Sequence, residues 1–227
     1  MPAQELERLH VRHYVTGPRP AYADRSDAGR SLAEWIRPAA DPHALVLALP
    51  RGGVPVGRPL AQALECELRP VLVRKLPIPA SPEMGFGAIT VDGTITLNQP
   101  VVASFGIDRA TVQAVADETR AEVERRSRAY PGGWPLPQLA GRHVWLLDDG
   151  LATGYSAIAA ARMVRSHGAG RLSVAVPCGP RTSAERMLAE ADDVWCAIAQ
   201  TGGPFAVASF YRDFHDMSDE EVVGLLE

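Results

Sequence analysis

Lysine is almost missing from this chain. Of 23 basic residues only Lys75 is a lysine, and the rest are arginines. A coding bias accounts for the arginines, since the two residues often interchange on a solvated surface. The lone survivor marks a place where a planar fork does not replace a compact, flexible point charge. Cysteine is scarce too: Cys66, Cys178 and Cys196 are odd in number and show no C-x-x-C spacing, so a reduced, cytoplasmic setting is expected. Long apolar runs are also lacking. The longest, Ala44 to Pro50, is too short to span a bilayer. The opening Met1 to Arg8 lacks the basic-then-apolar order of a secretory leader. A net charge of −4 and a pI near 5.9 give no electrostatic case for nucleic acid or an anionic membrane.

What is present is an ordinary globular composition, 46% hydrophobic and 22% charged over 227 residues, enough for a sizeable core. Residues 22 to 37 carry Ala28, Leu32 and Ile36 at helical spacing, with Pro38 as the stop. Strands are expected at Leu45 to Leu49 and Pro70 to Lys75, with a helix to Leu64 between them, and residues 76 to 87 form a Pro- and Gly-rich loop. Asp92-Gly93 between two alternating runs is a hairpin signal. A long helix covers Arg109 to Tyr130, and residues 131 to 137 form a Pro/Gly linker. Further strands fall at Leu172 to Val176, Val194 to Ala199 and Phe205 to Tyr211, with a helix at Thr182 to Glu190. Ser218-Asp219-Glu220-Glu221 is a capping box opening a terminal helix. Strands alternating with helices predict an α/β fold with a doubly wound, mostly parallel sheet. One domain over 1–227 is expected: a core at about 22–200, with the N-terminal segment and 201–227 as additions beside the hairpin.

The most informative stretch runs from Val144 to Ala157. Four apolar residues read as a buried parallel strand, and Asp148 and Asp149 stand where it ends. Ligands of open parallel sheets bind at the carboxyl ends of strands. The loop Ala152, Thr153, Gly154, Tyr155 and Ser156 leads into an apolar helix, so its N–H groups and the helix N-terminus make a phosphate cradle. Two adjacent carboxylates suit the neighbouring hydroxyls of a sugar. The combination implies a sugar phosphate. A second glycine-rich turn, Arg51-Gly52-Gly53, follows the first core strand, exposing N–H groups beside a cation with fork geometry.

Other motifs fail. No G-x-x-x-x-G-K-[ST] occurs, Gly85-Phe86-Gly87 lacks a third glycine, and Ile158 breaks a G-x-S-x-G reading of residues 154 to 158. His10/His13 and Asp213/His215/Asp216 lack a third partner at metal-ligand spacing.

The ordered combination of P-R-G-G-V-P-V-G from Pro50, R-K-L from Arg74, P-E-x-G-x-G-A from Pro82 and D-D-G-L-A-T-G from Asp148 resembles the type I phosphoribosyltransferases. The match covers about residues 20 to 215. It is most like a bacterial subgroup of predicted phosphoribosyltransferases with no assigned acceptor. The resemblance implies transfer of the 5-phosphoribosyl group of 5-phosphoribosyl-1-pyrophosphate (PRPP) to a nucleophilic small molecule, with release of pyrophosphate. A PRPP-sensing regulator that has lost turnover is the alternative. Asp148 and Asp149 would bind the ribose hydroxyls, and residues 152 to 156 the 5′-phosphate. Arg51, Gly52, Gly53 and Lys75 would bind pyrophosphate, with Lys75, Glu83 and Arg51 as the catalytic set. The loop 76 to 87 would be a lid. Mg²⁺ would arrive with PRPP, with Asp148 and Asp149 as further ligands. Phe205, Phe210 and Tyr211 would cover the acceptor in a hood, and a homodimer is expected. A non-proline cis peptide is expected at Pro50–Arg51. Two departures stand out: Ala152 occupies the position of the 6-oxopurine enzymes' base, and Val176-Pro177-Cys178-Gly179-Pro180 lacks their lysine.

Overall fold

The computed structural model describes residues 7–37, 41 and 43–227. Pro38 and the first six residues of the opening segment lie outside the described residues. Six parallel strands form the main sheet. They are β1 (Leu9–Val15), β2 (Leu45–Ala48), β3 (Glu67–Pro70), β7 (His143–Leu147), β8 (Arg171–Pro180) and β9 (Asp193–Gln200), in the order β1-β9-β8-β7-β2-β3. A second, antiparallel sheet holds β4 (Val73–Ile78), β5 (Ser81–Thr90) and β6 (Ile95–Leu97). The helices are α1 (Arg25–Ile36), α2 (Gly53–Leu64), α3 (Gln99–Ser104), α4 (Arg109–Ala129), α5 (Tyr155–Ser166), α6 (Arg181–Met187) and α7 (Asp219–Leu226).

The central strands β2 and β7 are buried along their whole length because both faces are covered. Leu45, Leu47, Val144 and Leu146 face one apolar cluster, with Ala157, Ala160 and Ala161 of α5. Val46, Trp145 and Leu147 face the other, with Leu32 and Ile36 of α1 and Val56 and Leu60 of α2. From β2 the chain moves outward to β3, and later elements build from β7 toward the opposite edge. The crevice between β2 and β7 is therefore the switch point, where loops diverge and leave room for a ligand.

Four expectations need correction. The run 70–75 is two strands: Val71 and Leu72 are buried in the corner between the sheets, where the chain turns. The Val71 N–H still donates to Ala48, whereas Leu72 accepts from Val91, just past the end of β5 in the second sheet. An unbroken apolar run carries no mark of that corner, so Lys75 lies on β4 and not at the carboxyl end of a parallel strand. The loop 76 to 87 is largely a hairpin of β4 and β5, with register shifts around Pro77. Residues 205 to 211 are not a strand. Val207–Phe210 make a 3-10 turn, and Phe210 and Tyr211 are both buried in one small cluster with Tyr22 and Ala28, which an alternating strand does not allow. Finally, the N-terminal segment joins the main sheet: β1 pairs with β9 at its edge.

Two short-range signals hold. Asp92-Gly93 turns β5 into β6, with Gly93 at φ 86°. Ser218 and Glu221 form the reciprocal capping box of α7; the structure adds Asp24 and Asp108 as caps of α1 and α4.

Candidate active site

Adjacency of β2 and β7 builds the site. Ala48 is level with Leu147, and the Leu49 N–H donates to the Leu147 carbonyl at 2.8 Å, so the two loops leave the sheet side by side. Gly53 is pressed on this junction. A Cβ there would lie 2.8 Å from the Leu147 oxygen and 3.1 Å from Cα of Asp148. The Pro50–Arg51 peptide is cis.

The two carboxylates are held differently. Oδ1 of Asp148 accepts the Asp149 N–H at 2.9 Å. Oδ2 of Asp149 accepts from Nε of Arg25 at 2.7 Å. Each side chain thus keeps one oxygen with no partner among the described residues. Burial, reinforced by the charge of Asp149, pushes the Asp148 carboxyl well above its ordinary range. Burial also raises Asp149, against the opposing hydrogen bond and charge of Arg25. Tyr211 fixes the main chain here, its hydroxyl donating to the Asp149 carbonyl at 2.6 Å.

The loop between Asp149 and α5 is pinned from behind. Ser183 of α6 donates to the Ala152 carbonyl at 2.7 Å, and Arg186 donates to the Thr153 carbonyl at 3.0 Å. Gly154 has φ 82° and caps α5, a left-handed conformation that glycine adopts without strain. With carbonyls turned back toward α6, the N–H groups of residues 153 to 156 meet no acceptor among the described residues. This is the donor arrangement that a phosphate completes.

Arg51 is half-buried beside the end of α4 and the start of α7. Tyr130 donates to Asp219 at 2.5 Å. That hydrogen bond does most to hold the Asp219 carboxyl below its ordinary range, and the charges of Arg126 and Arg51 add to it. Lys75 and Glu83 meet, but through the backbone: Nζ donates to the Glu83 carbonyl at 2.6 Å, leaving the exposed carboxylate out of the contact. The stem of Lys75 lies over Gly85, where a Cβ would overlap its Cγ. Lys75 lines a cleft of about 610 Å³ between the hairpin and α4, together with Arg74, Pro77, Pro79, Glu118 and Glu122. Arg51, the acidic pair and the phosphate loop are not among the residues lining that cleft.

The three aromatics separate. Phe205 is partly buried and borders a cleft of about 270 Å³ with Pro180, Thr182 and Gln200. Phe210 is fully buried behind it, ring centroids 5.4 Å apart, and presents no face to a ligand. Tyr211 is spent on Asp149. The expectation that all three face a ligand is corrected for Phe210 and Tyr211, which are buried; of the three, Phe205 is the one that borders an open cleft. Arg25, Ser183, Arg186 and Tyr130 were missed, because each acts from far along the chain with no local spacing to betray it.

Known proteins share this framework. The phosphoribosyl transferase domain family matches residues 22–209. Two Mycobacterium tuberculosis proteins, one from strain CDC 1551 / Oshkosh and one from H37Rv, the latter named "Putative phosphoribosyl transferase Rv0571c", are 41% identical over 206 residues. The alignment covers 91% of this chain and 46% of each relative, so the chain spans about half the length of the curated relatives it matches. The crystal structure of TT1426 from Thermus thermophilus superposes with a TM-score of 0.75 at 36% identity, covering 90% of this chain and 97% of that one. The chain belongs to the phosphoribosyl transferase family.

Proposed function

We propose that the chain transfers the 5-phosphoribosyl group of PRPP to a nucleophilic small-molecule acceptor and releases pyrophosphate. One observation carries this reading: the ends of β2 and β7 bring together three kinds of binding group spaced along one small ligand. The free N–H groups of residues 153 to 156 suit the 5′-phosphate. One open oxygen on each of Asp148 and Asp149 suits the two ribose hydroxyls. Gly52 and Gly53, packed on the same acidic pair, with Arg51 preceding them in the loop, suit the pyrophosphate.

In this reading the acceptor lone pair forms a bond to C1 as the C1–oxygen bond to pyrophosphate breaks. Pyrophosphate leaves with the electron pair. The protein contributes orientation and fixed charge: the phosphate loop and diol contacts hold the ribose, and Arg51 faces the departing oxygens. The open carboxylate oxygens of Asp148 and Asp149 are hard donors but too few by themselves for Mg²⁺, so the ion would be held by them together with oxygens of PRPP. Bound with PRPP, the ion supplies charge neutralisation to the pyrophosphate.

The test is incubation with PRPP, Mg²⁺ and a panel of nucleobases, amines and hydroxyl acceptors, reading pyrophosphate release and the mass of the adduct. One acceptor-dependent ribosylated product is the expected result. A second reading, a PRPP sensor without turnover, draws support from Lys75, whose ammonium donates to the hairpin carbonyl of Glu83. PRPP binding with no pyrophosphate release across the panel would mark the sensor; no PRPP binding at all would overturn both. No described helix is long and apolar enough to cross a membrane.

A further inference from the structure

Arg25 is one of the few buried charged residues described, only 8% exposed, and it lies well outside the motifs that mark the site. It sits one residue after the cap of α1, and its guanidinium gathers three distant segments. Nε donates to Oδ2 of Asp149 at 2.7 Å, and Nη1 donates to the carbonyl of His215 at 2.9 Å. The Phe214 ring stacks on the guanidinium, 3.7 Å from Cζ to its centroid. Gly52 closes the fourth side: a Cβ at that residue would lie 3.1 Å from Nε and would overlap the Asp149 oxygen. The C-terminal tail that supplies Phe214 and His215 is itself fastened to the segment before α1. Arg212 donates through its N–H to Tyr22, and Asp213 to Ala23.

We propose that Arg25 is a positioning residue for the acidic pair: it occupies one oxygen of Asp149, fixes the rotamer, and leaves Oδ1 as the single oxygen offered to a ribose hydroxyl. The inference rests on the ribose-phosphate reading of the site. The chemistry requires arginine. Two donors diverging from one rigid plane reach acceptors on two segments, and the plane's face accepts an aromatic ring. A lysine ammonium supplies the charge without the fork or the stacking face. With Asp149 tied from the carboxylate by Arg25 and from the carbonyl by Tyr211, the tail sets the shape of the diol site without touching the ligand.

Calorimetry on the full chain tests this with two probes, PRPP with Mg²⁺ and inorganic pyrophosphate with Mg²⁺, of which only the first has a ribose. Arg25→Gln is expected to weaken PRPP by about tenfold or more, the scale of one lost charge-assisted hydrogen bond, while pyrophosphate affinity holds. Arg25→Lys should recover part of the loss. In an Asp149→Asn background, Arg25→Gln should cost PRPP nothing further. Because Arg25→Gln leaves a buried carboxylate unpaired and can fail to fold, Phe214→Leu is the companion variant: it keeps the ion pair, removes the stack, and should weaken PRPP but not pyrophosphate. Unchanged PRPP affinity in the folded variants overturns the inference, as does a parallel loss of both ligands, which describes a merely structural residue. Failure of the parent chain to bind PRPP overturns the ribose-phosphate reading itself, and this inference with it.

Discussion

Gly52 and Asp149 lie in the loops that follow the neighbouring strands β2 and β7 and approach so closely that a Cβ on Gly52 would overlap the Asp149 carboxylate oxygen. The two motifs legible in the sequence are thus one surface. Because Arg25 holds that carboxylate, it cannot swing aside without breaking a 2.7 Å charged hydrogen bond. Gly52→Ala is expected to cost about 1–3 kcal/mol of stability and to weaken PRPP sharply. In an Asp149→Ala background the same substitution should cost much less stability. Equal costs in both backgrounds, read by denaturant unfolding, would disprove the contact.

Asp148 carries a stability penalty in the ligand-free chain. Burial and the neighbouring negative charge disfavour its ionised form. Asp148→Asn keeps an oxygen to accept the Asp149 N–H and removes the charge, so the ligand-free chain should melt higher at neutral pH. With PRPP at ~100 times its Kd, the parent should gain about 2.7 kcal/mol and the Asp148→Asn, Asp149→Asn double variant should lose most of that gain. An undiminished PRPP shift in the double variant would remove the diol assignment.

His143 offers a pH test away from the site. It is buried, with Nε2 2.9 Å from the Ser173 hydroxyl oxygen, and burial, followed by the charge of Arg171, lowers its pKa. The unfolded chain therefore binds a proton more readily than the folded one. The neutral ring is no burden above the ordinary histidine pKa, and stability should fall as pH drops through and below about 6.5. His143→Gln should flatten that part of the stability–pH curve, measured by urea unfolding at pH 7.5, 6.5 and 5.5.

Lys75 separates two roles. If the hairpin delivers its ammonium to the leaving group during turnover, Lys75→Arg should lower kcat/KM about tenfold, or 1.4 kcal/mol, with little effect on stability. If its role ends at the Glu83 carbonyl, turnover should persist while amide exchange around residues 78 to 84 accelerates. Measuring both on one variant decides.

Hypoxanthine, guanine and xanthine should be poor acceptors. Ala152 has no group to deprotonate a purine, and the end of β8 carries buried Cys178 and Gly179, where a Cβ would lie 3.0 Å from Leu151, leaving no lysine to read a 6-oxo group. Inosinate or guanylate formation at kcat/KM near ~10⁵ M⁻¹s⁻¹ would contradict this.

The parts of the fold legible in sequence are those whose cause is local. β7 and the loop after it are read from four apolar residues, two carboxylates and a glycine within one short segment. The capping box of α7 and the Asp92-Gly93 turn are equally short-range. Elements lost to sequence reading have causes elsewhere in the chain. The corner at Val71 and Leu72 looks like mid-strand because its apolar side chains fill a junction between two sheets. Phe210 and Tyr211 look like strand residues because bulk and apolarity do not say that both are buried in one cluster. β1 alternates weakly, and it is a strand because β9 offers it an edge.

The sequence by itself determined the order of the chemical groups: an arginine-glycine loop, an acidic pair and a phosphate loop, each at the end of an apolar segment. Hydrophobic runs and turn residues act over a few positions, so these could be placed without the fold. Only the tertiary structure decided which side chains serve them. Pairing of β2 with β7 pressed Gly52 onto Asp149, and closure of the tail against α1 brought Arg25 and Tyr211 to the same residue. Those contacts span 62 to 124 residues of chain. A hydrogen bond across such a distance leaves no spacing to read, because its geometry is fixed by packing between elements and not by neighbours in sequence.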